Sequence, residues 1–201
     1  HVESKLISHI SGARPLLDLS MNNPPQPESA GLQQHIPQGI AQLISSADRV
    51  LQLHYQDSAG NPHDRSAAAA WLGQSIDSVS TERTLITGGA QAALYAILQC
   101  MTTRGDIIAC GEFVYPGLKS AAEQLQLTLQ PLSMDQQGVL PDSFEQACRE
   151  QKLKAIYLVP TMDNPTTATM SLTRRQQIVA IANEYDITII EDDPYSPLQT
   201  Q

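Results

Sequence analysis

Four short segments carry side chains able to hold and polarise a small charged ring. Thr87-Gly88-Gly89-Ala90-Gln91 is a glycine turn leading into a helical pattern, and the first amides of a helix, with the positive end of its dipole, suit a phosphate. A lone Gly-Gly pair equally suits a tight turn that binds nothing. In Glu112-Phe113-Val114-Tyr115-Pro116-Gly117, the Tyr115 ring can lie against a planar cofactor or serve as a packed turn residue before Pro-Gly. In Pro160-Thr161-Met162-Asp163-Asn164-Pro165-Thr166-Thr167, Asn164 can donate to a ring oxygen or open an Asx-type turn. Ile189-Ile190-Glu191-Asp192-Asp193-Pro194-Tyr195 places carboxylates where a buried strand ends. A carboxylate there can pair with a protonated heterocyclic nitrogen, bind a metal, or cap the next element. No metal is expected, because His1, His9, His35, His54 and His63 have no ligand spacing and read as surface or turn residues.

The elements that must position these segments follow from hydrophobic periodicity. Asn22 to Pro27 reads as an extended arm, because each proline removes a donor and disfavours helical geometry before it. Leu43, Ile44, Ala47 and Leu51, following Ile40, mark an amphipathic helix ending before Tyr55, with a turn around Asp57–Pro62 and a helix through Ala67–Leu72 beyond Asp64. A short strand at Leu85-Ile86-Thr87 is expected to stop at Gly88. Then the order alternates: a helix with Leu94, Ile97, Leu98 and Met101, strand 106–110, a helix with Leu118, Ala121, Ala122 and Leu125, and strand 127–132. Asp142 with Glu145, and Thr173 with Gln176, read as capping-box starts of two further helices. These lead into strands 155–159 and 187–190. Such alternation predicts an α/β fold, a largely parallel sheet with helices on both faces, and ligands at the carboxyl ends of its strands, where the four segments fall.

Composition narrows the classes further. The chain has 201 residues, 41% of them hydrophobic, and a formal net charge of −9. That suits one substantial core and no disorder, and no apolar run approaches the roughly 20 residues of a membrane helix. With no basic cluster beyond Arg174-Arg175, this segment is not expected to grip DNA itself. Cys100, Cys110 and Cys148 are odd in number and widely spaced, as in reduced proteins, which predicts a cytoplasmic location.

Taken together and in this order, the four segments resemble the class I/II aminotransferases of pyridoxal-phosphate (PLP) fold type I, from about Asp18 to Leu198. The resemblance implies that Gly89, Ala90 and Gln91 bind the cofactor phosphate and that Tyr115 stacks on the pyridine ring. It implies that Asn164 and Tyr195 share the phenolic oxygen and that Asp192 partners the ring nitrogen. PLP withdraws electrons only while that nitrogen stays protonated, and a fixed carboxylate holds it so. Tyr55 resembles the tyrosine that reaches across a homodimer to the neighbouring phosphate; it equally suits a packing residue at a helix end. Residues 1–54 are then an arm and helix, and residues 55–201 part of a PLP-binding large domain.

The departures matter as much. Thr167 stands where the family's Asn-Pro-Thr-Gly signature has glycine, so the loop must avoid positive φ there or carry strain. The lysines are Lys5, Lys119, Lys152 and Lys154, none in the context of the family's Schiff-base lysine, so no catalytic residue is assigned and the chain is expected to be inactive by itself. The resemblance also predicts a gap in the sheet between strands 85–87 and 155–159, and a chain that is a partial copy of a larger protein. In the complete protein it implies amino-group transfer between amino and oxo acids. The stretch from Thr173 to Tyr195 is similar as well to the aminotransferase-type domains of GntR/MocR-type transcriptional regulators. There PLP is a sensed ligand and DNA is bound by a separate winged-helix domain. A third possibility is an inert scaffold that takes up no cofactor.

Overall fold

A computed structural model describes residues 27–45 and 55–198 of the chain, which divides into two compact units, His1–Tyr55 and Gln56–Gln201. In the first unit, α1 (Leu32–Ser45) begins earlier than its apolar spacing suggests and runs through Pro37. Ala47 and Leu51, predicted for the same helix, and the arm residues 22–26 lie outside the described residues.

The second unit opens with the expected turn. Gly60 N–H donates to the Asp57 carbonyl at 2.8 Å and Ala59 N–H to Asp57 Oδ1 at 2.9 Å. The next helix, α2 (Pro62–Leu72), starts two residues before Asp64. Asn61 is its N-cap, accepting from Asp64 N–H at 2.9 Å, with proline at the first helical position. Then follow α3 (Ala90–Met101), β1 (Ile107–Gly111), α4 (Pro116–Leu125), β2 (Thr128–Leu132), a small hairpin of β3 (Met134–Asp135) and β4 (Gly138–Val139), α5 (Pro141–Glu150), β5 (Leu153–Leu158), α6 (Leu172–Glu184) and β6 (Thr188–Glu191).

Strands β1, β2, β5 and β6 form one parallel sheet in the order β2-β1-β5-β6. Side chains alternate across a strand, so each central strand feeds two cores. Ile108 and Cys110 of β1, with Ala155 and Tyr157 of β5, pack with Leu94 and Leu98 of α3 and Leu118 and Ala121 of α4. Ala109 of β1, with Leu153, Ile156 and Leu158 of β5, packs instead with Phe144 and Ala147 of α5 and Ile178 and Ala182 of α6. Both faces of the sheet are therefore covered, which is why β1 and β5 are almost wholly apolar.

Three local expectations are corrected. Residues 84–87 form no strand. Leu85 is 66% exposed, and Ile86 N–H donates to the Ala59 carbonyl at 2.9 Å, a loop contact in place of a ladder. Nor does the sheet break beside 155–159, because β5 is paired on one side by β1 and on the other by β6. Finally, neither capping box forms. Pro141 occupies the first turn of α5 behind Leu140, which leaves Asp142 inside the helix, and α6 is capped by Ser171, whose hydroxyl accepts from Arg174 N–H at 3.3 Å. A proline with its φ already helical sets the start of α5 one residue before the acidic side chain could cap it.

Candidate functional site

The carboxyl ends of β1, β5 and β6 and the start of α3 converge on a cleft of about 160 Å³. It is lined by Ala90, Gln91, Tyr115, Asn164, Asp192 and Tyr195, together with Tyr157, Val159 and Pro194. Six of the eight residues singled out from the sequence thus meet at one place. Gly89 does not line it but immediately precedes Ala90. Tyr55 belongs to the first unit and is fully exposed.

At one end, Gly89 is the N-cap of α3, with φ 108° and ψ 166° and no side-chain cap. That conformation is open essentially to glycine alone, and it leaves the first amides of α3 free of a side-chain acceptor. A Cβ added at Gly88 or Gly89 would meet nothing within 4 Å, so the space before the helix is open. Gln91 turns away to donate from Nε2 to the Gly117 carbonyl at 3.0 Å. Gly117 itself is required by close approach, because a Cβ there would collide with Gln91 Oε1 and the Tyr115 ring. The Tyr115 side chain, set at the N-cap of α4 just after β1, therefore packs across a residue with no side chain.

At the other end, three consecutive carboxylates have separate work. Glu191 faces Arg175, with Nη1 3.4 Å from Oε1. Asp193 accepts from Ser196 N–H at 3.0 Å and caps the last turn, Ser196–Leu198. Asp192, just past the paired end of β6, lines the cleft and accepts from the Tyr157 hydroxyl at 2.7 Å. Of the three roles open to this acidic cluster, capping thus falls to Asp193, and among the described residues no group of three His, Cys, Asp or Glu side chains is placed to hold a metal.

Between the two ends lies the loop after β5. Asn164 lines the cleft and Thr167 takes the strained alternative, with φ 62°. The loop is closed by Asp163 N–H donating to the Ala168 carbonyl at 2.8 Å, Thr167 N–H to the Asp163 carbonyl at 2.6 Å and Thr166 Oγ1 to Asp163 Oδ2 at 2.6 Å. Burial raises the pKa of the Asp163 carboxyl above its ordinary value, partly offset by the Thr166 bonds. Arg175 ties the base of this loop to β6. Its guanidinium donates to the Pro160 carbonyl at 3.2 Å, Thr161 Oγ1 at 3.1 Å and the Met170 carbonyl at 3.2 Å, besides facing Glu191. Neighbouring Arg174 makes a two-point pair with Asp135 at 2.8 and 3.1 Å, holding the β3–β4 hairpin.

Sequence reasoning missed Tyr157, and a signal was there to find. Tyr157 is the one polar side chain in Ala155-Ile156-Tyr157-Leu158-Val159, a run expected to be buried, and a buried hydroxyl has to find a partner.

Helix-end amides at one end, a carboxylate at the other, an aromatic ring, an amide and a phenol make a donor and acceptor set. It fits a planar heterocycle that carries a phosphate and a protonated ring nitrogen. Comparison with known proteins gives the class. The chain belongs to the aminotransferase class I and II family, whose model it matches over residues 14–199. PLP is the cofactor of that family, and one similar solved structure, the kynurenine aminotransferase of Pyrococcus horikoshii, holds the related PMP. That structure is 28% identical, with a TM-score of 0.73 over 81% of this chain and 41% of its own. An archaeal alanine:glyoxylate aminotransferase matches with a TM-score of 0.79 and 28% identity over 95% of this chain and 47% of its own.

Among curated relatives, the HTH-type transcriptional regulator YdeF of Bacillus subtilis is 32% identical over 156 residues, 78% of this chain and 34% of that protein. The aromatic amino acid aminotransferase C569.07 of Schizosaccharomyces pombe is 37% identical over 122 residues, 58% of this chain and 26% of that protein. The chain thus spans about a third or less of the length of these curated relatives. No helix among the described residues is long and apolar enough to cross a membrane.

Proposed function

We propose that residues 55–201 form part of a PLP-binding large domain, and that the whole protein transfers amino groups between amino and oxo acids. The observation that carries this is the meeting of Ala90, Gln91, Tyr115, Asn164, Asp192 and Tyr195 around one cleft. When bound, PLP supplies an electron-withdrawing ring that takes up the electron pair left as the substrate's Cα–H bond breaks. The chain's own residues prepare that ring. Amides at the start of α3, from Gly89 through Gln91, bind the phosphate, and the dipole of α3 favours its charge. Tyr115 covers a ring face and excludes water from it. Asn164 Nδ2 and the Tyr195 hydroxyl donate to the phenolic oxygen, which keeps that oxygen ionised. Asp192 holds a proton at the ring nitrogen. The Cα proton itself is moved by none of these. Tyr55 reaches a neighbouring phosphate in a homodimer, and the protein works in the cytoplasm.

A second reading is compatible with the relatives as well. The HTH-type regulator YdcR of Escherichia coli is 31% identical over 175 residues, 87% of this chain, alongside YdeF. On that reading the same cleft senses PLP, and a separate domain binds DNA. In both readings the cleft's own side chains and helix-end amides hold the phosphate and ring by non-covalent contacts. Pyridoxamine 5'-phosphate, which has no aldehyde to react, is the direct probe. The chain is expected to bind it saturably, with Asp192→Ala weakening it by about tenfold or more, as loss of a charged partner should. Absence of saturable binding by the wild-type chain refutes the cleft as a PLP site.

A further inference from the structure

We propose that Tyr157 is a positioning residue for the cofactor's ring nitrogen, acting through Asp192: its hydroxyl fixes one carboxylate oxygen so that the other is presented to the cleft. This deepens the reading of the cleft as a PLP site and rests on it. The strand register sets up the pair. Tyr157 of β5 lies opposite Ile190 of β6, and Asp192, two residues on, returns to the same face of the sheet. The Asp192 backbone is held as well, its N–H donating to the Leu158 carbonyl at 2.9 Å. Tyr157 is 1% exposed and belongs to the core beneath α3 and α4, yet its ring also lines the cleft beside Asp192.

Packing alone does not account for a tyrosine there. Phenylalanine would fill the same volume among the aliphatic neighbours Ala155, Ile156 and Leu158, without a hydroxyl to desolvate. The hydroxyl is present, buried, and spent on Asp192 Oδ2 at 2.7 Å. Burial, the Asp192 carboxylate, and then Asp163 and Tyr115 push its pKa well above the ordinary tyrosine value, so it remains a donor throughout the working pH range. A carboxylate has two oxygens and several lone-pair sites. Engaging one of them in a short charge-assisted bond removes the side chain's freedom to rotate and leaves the rest for a ligand.

The test is a cycle of variants of the full chain, titrated with pyridoxamine 5'-phosphate and, by competition, with inorganic phosphate. Thermal unfolding confirms that each variant is folded. Tyr157→Phe is expected to weaken pyridoxamine 5'-phosphate binding about tenfold, the lower range for a hydrogen bond to a charged group. It should leave the competition by inorganic phosphate unchanged, because phosphate engages only the α3 end. In the Asp192→Ala background, where there is no carboxylate to orient, the same Phe substitution should cost less than about twofold. Equal affinity for wild type and Tyr157→Phe overturns the proposal while leaving the cleft as a PLP site. A loss that repeats undiminished in the Asp192→Ala background, or that extends to phosphate, also overturns it, because the hydroxyl is then structural. No binding by wild type overturns both.

Discussion

Thr167→Gly gives a quantitative check on the loop that presents Asn164. Thr167 sits at φ 62°, a left-handed conformation that costs a β-branched residue about 1–2 kcal/mol relative to right-handed geometry. Glycine relieves that cost but adds unfolded-state freedom worth roughly 0.4–1 kcal/mol. The threonine side chain is exposed, so little packing is lost, and the bond from residue 167 N–H to the Asp163 carbonyl is kept. The net expectation is a gain of about 0.5–1 kcal/mol, which for a chain of this size raises the midpoint of thermal unfolding by roughly 1–4 °C. Circular dichroism melting of the full chain reads it, and a pyridoxamine 5'-phosphate titration should show affinity within about twofold of wild type, since the loop bonds survive. A midpoint equal to or below that of wild type would refute the assignment of strain to Thr167.

Gly117→Ala forces a Cβ into the Tyr115 ring and Gln91 Oε1, so the ring must leave its place in the cleft. Pyridoxamine 5'-phosphate should then bind roughly two- to tenfold more weakly, the range for one lost ring contact, and unchanged affinity in an isothermal titration would show that Tyr115 does not cover the ring. Asp163→Asn bears on the buried carboxyl. Because the folded state raises its pKa, the charge opposes folding at neutral pH. The stability it contributes is complete only below the ordinary carboxylate range and is lost as pH rises through the folded value. The Asn variant should therefore melt higher than wild type at pH 7–8, with the difference vanishing as pH falls into the ordinary carboxylate range; a difference that does not change with pH counts against the burial of a charge.

How far the sequence reaches depends on whether a residue's partner is local. Strands β1, β2, β5 and β6 and helices α3 to α6 were legible because each carries its own period. Tyr115, Asn164, Asp192 and Tyr195 were legible because each follows a strand end, where chain direction alone puts side chains at one edge of the sheet, and Ala90 and Gln91 because the Gly88-Gly89 turn opens a periodic helix. Residues 85–87 read as a strand from local composition, yet a strand exists only with a neighbour, and pairing is invisible in a single segment. The capping errors have the same origin in reverse: Pro141 and Ser171 offered an earlier start than the acidic pattern at Asp142 or the threonine at 173. The β3–β4 hairpin went unread because each strand is two residues long, and it is held by Arg174 from far along the chain. Tyr157 needed knowledge of Asp192 at the end of the next strand, although its hydroxyl in an aliphatic run announced that a partner must exist.

The Arg175 guanidinium, reaching Pro160, Thr161 and Met170 on one side and Glu191 on the other, works as the rivet of a caliper. One jaw is the loop with Asn164, the other the strand end with Asp192, and the gap between them is set by a side chain that never enters the cleft. Loop residues beyond the rivet, Thr167 among them, can therefore drift in identity and even carry strain without changing the width the jaws measure. Change at position 175 would alter that width while leaving each jaw intact.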